Sequence, residues 1–176
     1  MSRSGRFLAL LLCFGLVVSP TWAGDEAEAV AGFVAETFAT PPEAGSIWLS
    51  GELRKAAAGI IGHDYPAARL RYWRAGARTA WVLDEIGKEL PITVGISIDA
   101  GRVRAVRVLA YRESRGWEVK SPAFTAQFDG ARLLPDYRLD RGIDGISGAT
   151  LSVRALTRLT RLALLLHGQV SAPGAP

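Results

Sequence analysis

The sequence contains one cysteine, Cys13, and two histidines, His63 and His167. Cys13 lies in an N-terminal segment that reads as a leader, so the remaining chain has no disulfide, thiolate metal site, iron–sulfur cluster or haem attachment motif. The residue before it, Leu12, is a poor fit to a lipoprotein cleavage site. The histidines are far apart and without companions, which excludes a histidine-based metal motif and makes both structural or surface residues. His167 falls near the end of a predicted helix, where the helix dipole favours the charged imidazole. No charge sign dominates either. There are 21 basic and 17 acidic residues, and the leader takes Arg3 and Arg6 from the formal +4, leaving a balance near +2. That is too mild for nucleic acid. The densest basic stretch, Arg102 to Arg115, alternates with Val103, Val106, Val108 and Leu109. It reads as the solvated face of a strand, with partner docking as the alternative.

Long apolar runs are equally scarce. The only one is Phe7 to Val18, preceded by Arg3 and Arg6 and followed by Thr21-Trp22-Ala23. This is a signal-peptide pattern, too short for a comfortable bilayer span, and predicts cleavage after Ala23; a retained anchor is the alternative. Arg3 and Arg6 are not adjacent, unlike a twin-arginine signal. The mature chain is expected to be periplasmic and not membrane-spanning, with roughly 150 residues to build one core.

What is present sorts into helices and strands by period. Asp25–Phe38 predicts a helix with Val30, Phe33, Val34 and Phe38 on one side, ended by Thr40-Pro41-Pro42. A second helix is expected from Ser50 to Gly62, with Leu53, Ala56, Ala57 and Ile60 inward. Arg69–Arg74 and Thr79–Glu85 read as strands around Ala75-Gly76-Ala77. Ile92, Val94, Ile96 and Ile98 alternate with Thr93, Gly95 and Ser97, predicting a strand buried on one face. Asp99-Ala100-Gly101-Arg102 turns the chain into a partner strand, Val103–Tyr111. Phe124–Phe128 reads as a brief strand before a turn at Asp129-Gly130.

The most distinctive stretch is Asp144-Gly145-Ile146-Ser147-Gly148-Ala149-Thr150. Leu151, Ala155, Leu159, Leu162 and Leu166 follow at helical spacing, and Gly168 offers a stop. With Ser147 as N-cap, Gly148, Ala149 and Thr150 would form a first turn whose free N–H groups and dipole attract an anion such as phosphate. The alternative is a plain capped helix. A hydrolase nucleophile elbow does not fit, because Ala149 stands where its second glycine belongs, and no Lys follows to make a phosphate loop.

Asp-Gly-Ile-Ser-Gly-Ala-Thr-Leu-Ser resembles the flavinylation motif of the periplasmic FMN-binding domain family. That family includes the C subunit of the sodium-translocating NADH:quinone oxidoreductase, the G subunit of the Rnf complex and NosR-type regulators. The resemblance runs from about Ser46 to His167, through Pro91–Asp99, Gly101–Val108, Glu113-Ser114-Arg115-Gly116 and Phe124–Gly130. It implies covalent FMN on Thr150 through a phosphoester, made by an exported, magnesium-dependent flavin transferase that uses FAD. Ser147, Gly148 and Ala149 would surround the phosphate, and Asp144 would hold the motif turn or serve recognition by the transferase. Many relatives carry Glu-Thr-Pro-Gly beside the flavin ring. Glu113 and Gly116 match it, Ser114 and Arg115 do not, and Trp117 follows as a further candidate wall.

The combined expectation is a single α+β domain, a twisted, largely antiparallel sheet packed with helices, its C-terminal helix starting at the flavinylation motif. The divisions are a leader at 1–23, an N-terminal helix and linker at 24–45, the FMN-binding domain at 46–168 and a disordered tail at 169–176. The implied function is an exported electron carrier serving redox partners, a membrane reductase among the candidates, rather than an enzyme with its own substrate. A non-redox sensor or assembly module, and a flavoenzyme with its own substrate, are the alternatives.

Overall fold

Every strand of the sheet lies beside its neighbour in sequence. The computed structural model describes residues 24–171; the predicted leader with its cleavage after Ala23, and residues 172–176 of the predicted tail, lie outside the described residues. Strands β1 (Glu43–Trp48), β2 (Arg69–Ala75), β3 (Arg78–Ile86), β4 (Pro91–Asp99) and β5 (Arg102–Tyr111) form one antiparallel meander in the order β1-β2-β3-β4-β5. Four helices complete the α+β fold: α1 (Gly24–Thr37), α2 (Gly51–Ile61), the short α3 (Pro122–Thr125) and α4 (Thr150–Ser171). None of the described helices is long and apolar enough to cross a membrane.

The two helices predicted in the N-terminal third are present, and Ser50 and Gly62 cap α2 as expected. The β4–β5 hairpin turns through Ala100 and Gly101, both at positive φ, the geometry that matches strand twist. Strand β1 had no counterpart in the sequence pattern. Its Ala44-Gly45-Ser46 centre has little intrinsic strand preference, and pairing with β2 recruits it as an edge. The boundary drawn at 45/46 therefore falls inside a strand.

Helix α4 supplies the core on one face. Leu156, Leu159, Leu162 and Leu166 are fully buried against Trp81, Leu83, Ile92, Val94, Ile96 and Ile98. Each such side chain contributes about 1.5–3 kcal/mol of burial. Strand β4, expected to be buried on one face, is buried on both. Its small and polar residues face α1 rather than water. The Phe33 ring lies on the β4 backbone so closely that a Cβ on Gly95 would stand 2.8 Å from it. Thr93 Oγ1 meets Asp84 Oδ1 at 2.6 Å and Glu26 Oε1 of α1 at 2.8 Å. Alternation of size was mistaken for alternation of exposure.

Two further expectations are corrected. Phe124–Phe128 is not a strand: it is α3 followed by a 3-10 turn over Ala126–Phe128. Four-residue spacing puts both rings on one helical face, where they pack edge-to-face at 5.8 Å. Gly168 does not stop α4, which continues to Ser171, so residues 169–171 are helix rather than tail.

That continuation changes His167. It is 4% exposed, three residues before the final Val170-Ser171 step. Its Nε2 accepts the Gly101 N–H at 3.1 Å, so the proton of the neutral ring is on Nδ1, facing Thr79 Oγ1 at 2.8 Å. Burial depresses its pKa, with Asp99 opposing, and the dipole argument for a charged ring does not hold. His63 has the opposite setting. Its Nδ1 donates to the Asp64 carbonyl at 2.9 Å and its Nε2 to Glu85 Oε1 at 3.0 Å, which together raise its pKa. The signs follow from linkage. The stability that His167 contributes is complete above its unfolded pKa of about 6.5 and is lost as pH falls through the lowered folded value. The contribution of His63 is complete below that pH and is lost as pH rises through the raised folded value. In urea unfolding between about pH 5 and pH 8, His167→Gln should flatten the acid limb of stability and His63→Gln the neutral limb. Unchanged slopes in both variants would contradict these assignments.

Candidate functional site

The start of α4 is built by a turn, not by a capping side chain. The Ala149 N–H donates to the Ile146 carbonyl at 3.0 Å, and Gly148, at φ 83°, takes the third position, which a residue with a side chain rarely adopts. The Ala149 carbonyl then accepts the first helical bond, from the Val153 N–H at 2.9 Å. The N-cap is therefore Ala149, which is 3% exposed, and not Ser147, which is exposed within the turn. The reason is packing: the residue entering the helix must fill core space, and alanine does so. The consequence is chemical. With no hydroxyl or carboxylate at the cap, and no acid in the first turn, the N–H groups of Thr150, Leu151 and Ser152 have no hydrogen-bond partner among the described residues. Thr150 stands at the first helical position, exposed to solvent.

Two loops face this helix end. The β3–β4 loop brings Lys88 and Glu89, and the segment after β5 brings Glu113, Ser114 and Arg115. Together with Gly148–Ser152 they enclose a cleft of about 600 Å3. One carboxylate oxygen organises it: Glu113 Oε1 accepts the backbone N–H groups of Lys88 at 2.6 Å, Glu89 at 2.6 Å and Leu90 at 2.9 Å. These bonds, those from Leu90 and Glu89 foremost, hold the Glu113 carboxyl below its usual pKa, so it stays ionised. The second loop is locked to the helix by Tyr111, whose hydroxyl donates to the Arg115 carbonyl and lies 3.0 Å from Ser152 Oγ. Gly116, at φ 85°, makes that approach possible. A Cβ there would stand 2.8 Å from the Tyr111 oxygen and 3.2 Å from both Ala149 Cβ and Ser152 Oγ.

Of the residues singled out in the sequence, Thr150, Gly148, Ala149 and Glu113 line one cleft, and Gly116 packs directly behind it. Ser147 borders the helix start without lining the cleft. Asp144 is exposed; its backbone N–H is held by Gln127 Oε1 at 2.7 Å, so the motif's first residue is anchored through its main chain. Trp117 is 65% exposed and is not among the lining residues. Sequence reasoning missed Lys88, Tyr111, Arg115 and Ser152. Arg115 had been set aside as a departure from the family pattern, yet it and Lys88 bring positive charge to the cleft.

An exposed threonine hydroxyl and three unpartnered N–H groups at a helix start, with Arg115 beside them and Lys88 paired to Glu89 at 3.2 Å, can receive an anion such as the phosphate end of a nucleotide. Residues 87–165, which span both loops and most of α4, match the model of the FMN-binding domain. That match supports an FMN-binding domain over this stretch and, with it, flavin binding. No curated protein matches the chain.

Proposed function

We propose that this protein is an exported electron-transfer flavoprotein that holds FMN covalently through a phosphoester to Thr150. The observation that carries the reading is the Thr150 hydroxyl, exposed at the first position of a helix whose first-turn amides are free, inside the matched domain. The bond forms between Thr150 Oγ and the FMN phosphorus of FAD; AMP departs and the hydroxyl proton is released, with the transferase as catalyst. The amides of Thr150, Leu151 and Ser152, with Lys88 and Arg115, then hold the phosphate, and the 88–90 loop fixed by Glu113 forms the opposite wall. Bound FMN supplies the electron chemistry; the chain supplies attachment, position and charge.

A carrier is favoured over an enzyme by what the cleft residues are already doing. Glu113 is occupied by three amides, and neither His63 nor His167 lines the cleft. The other titratable pair of the lining, Lys88 and Glu89, is engaged with itself at 3.2 Å. The leader pattern supports export to the periplasm, where a covalent tether prevents dilution of the cofactor. The redox partner, with a membrane reductase as the leading class, would meet the open side of the cleft. Coexpression with the flavin transferase tests the reading: intact-mass spectrometry should give one FMN ester per chain, with loss of the leader, and the denatured band should fluoresce. An unmodified mass from a host with proven transferase activity would refute it.

A further inference from the structure

A second cleft, of about 500 Å3, lies between residues 134–143 and α4. It shares no lining residue with the flavin cleft. Three arginines face it, Arg138, Arg141 and Arg161, against a single acid, Asp140. That acid is already engaged: it accepts the Arg132 N–H at 3.0 Å, Arg132 Nε at 3.3 Å and Arg141 Nε at 3.3 Å.

Arg138 and Arg161 spend Nε on the chain and leave both outer nitrogens free, whereas Arg141 spends Nε and Nη1 and leaves only Nη2. Arg138 Nε binds Asp136 Oδ2 at 2.6 Å, Arg141 Nη1 binds the Asp129 carbonyl at 2.6 Å, and Arg161 Nε binds the Tyr137 carbonyl. Both Nη groups of Arg161 and of Arg138, and Nη2 of Arg141, make no hydrogen bond among the described residues. A guanidinium fixed through its inner N–H, with its outer pair presented, is the arrangement that receives an oxyanion in two-pronged fashion. Arg161 is also half-buried beside Arg158, and burial and that neighbour both act against its charge. Leu139 and Ile143 supply an apolar wall, and the volume is in the range of small-molecule sites.

We propose that this cleft binds a small organic anion, its carboxylate or phosphate held by the outer N–H groups of Arg161 and Arg141 and its carbon body against Leu139 and Ile143. The site does not depend on the flavin reading. Thr157 and Arg161 follow Thr150 by seven and eleven residues, so they lie on the same face of α4, about 10 and 16 Å further along its axis. The anion therefore binds on the cofactor side of the molecule without entering the cofactor cleft.

The test uses the unflavinylated protein and two probes, inorganic phosphate and succinate, titrated against sodium chloride at matched ionic strength. Backbone and arginine Nε resonances of Gly142 and Arg161 should shift saturably with at least one probe, and the tighter probe identifies the headgroup. Arg161→Gln should weaken binding at least tenfold. Arg104→Gln, on β5, should leave it unchanged. Thr157→Glu keeps every arginine and places a carboxylate among them; it should abolish binding and raise Tm, which keeps the test informative if Arg161→Gln fails to fold. Shifts that track chloride, or wild-type binding by Thr157→Glu, would overturn the proposal. So would loss of the site on FMN loading, which would assign the cleft to the cofactor.

Discussion

Thr150→Val should convert a fully flavinylated protein into one with no covalent FMN, at little cost to the fold. The substitution keeps the shape and β-branching of threonine and removes only the hydroxyl. That hydroxyl makes no hydrogen bond among the described residues, and the side chain is exposed at the first turn. Stability should therefore stay within about 0.5 kcal/mol of wild type. Ser147→Ala is the informative neighbour. Because Ser147 lies in the preceding turn and caps nothing, its replacement should leave both attachment and unfolding midpoint close to wild type. Intact mass after coexpression and urea unfolding separate the two variants. Full flavinylation of the Thr150 variant would move the attachment to another residue and end the assignment.

The largest effect on stability near the site is expected from Gly116→Val. A side chain in the left-handed region costs about 1–3 kcal/mol, and forcing atoms into a packed contact costs typically about 1–3 kcal/mol more. Both apply, because the new Cβ would press on Tyr111, Ala149 and Ser152 while the backbone sits at φ 85°. The loss should be about 2–6 kcal/mol by these figures, read from the shift in urea midpoint at constant slope. Gly116→Ala should fall between the two proteins. The folded fraction should also flavinylate poorly, since the Glu113–Arg115 segment can no longer close against α4. Wild-type stability in the valine variant would show that the loop and the helix start are not in contact.

Much of this architecture was legible in the chain, and the failures share one origin. Periodicity located α1, α2, the hairpin and α4 because apolar spacing reports a buried face directly. It could not report that a second layer covers the first. Thr93, Gly95 and Ser97 look like a wet face, yet α1 lies over them, with Phe33 on Gly95 and Glu26 bonded to Thr93. The same blindness hid β1, whose strand identity comes from its partner rather than its residues. At the site, Gly148, Ala149 and Thr150 of the motif line the cleft, but capping preference chose Ser147 where packing chose Ala149. Lys88 and Tyr111 carry no local signal; only the fold brings residues 88–89, 113–115 and 148–152 to one cleft, with Tyr111 locking the second loop to the helix.

The alanine at the head of α4 leaves that helix unfinished. A serine or aspartate in its place would satisfy a first-turn amide from within the chain and would contend with any incoming phosphate for the same donors. As encoded, the longest helix of the fold begins with its amides open, and an ester phosphate on Thr150 would serve as the missing cap, supplied by post-translational chemistry instead of by a codon. On the proposed reading, maturation and folding would be thermodynamically joined: adding the cofactor would complete a secondary-structure element, and the modified chain would be the more stable form.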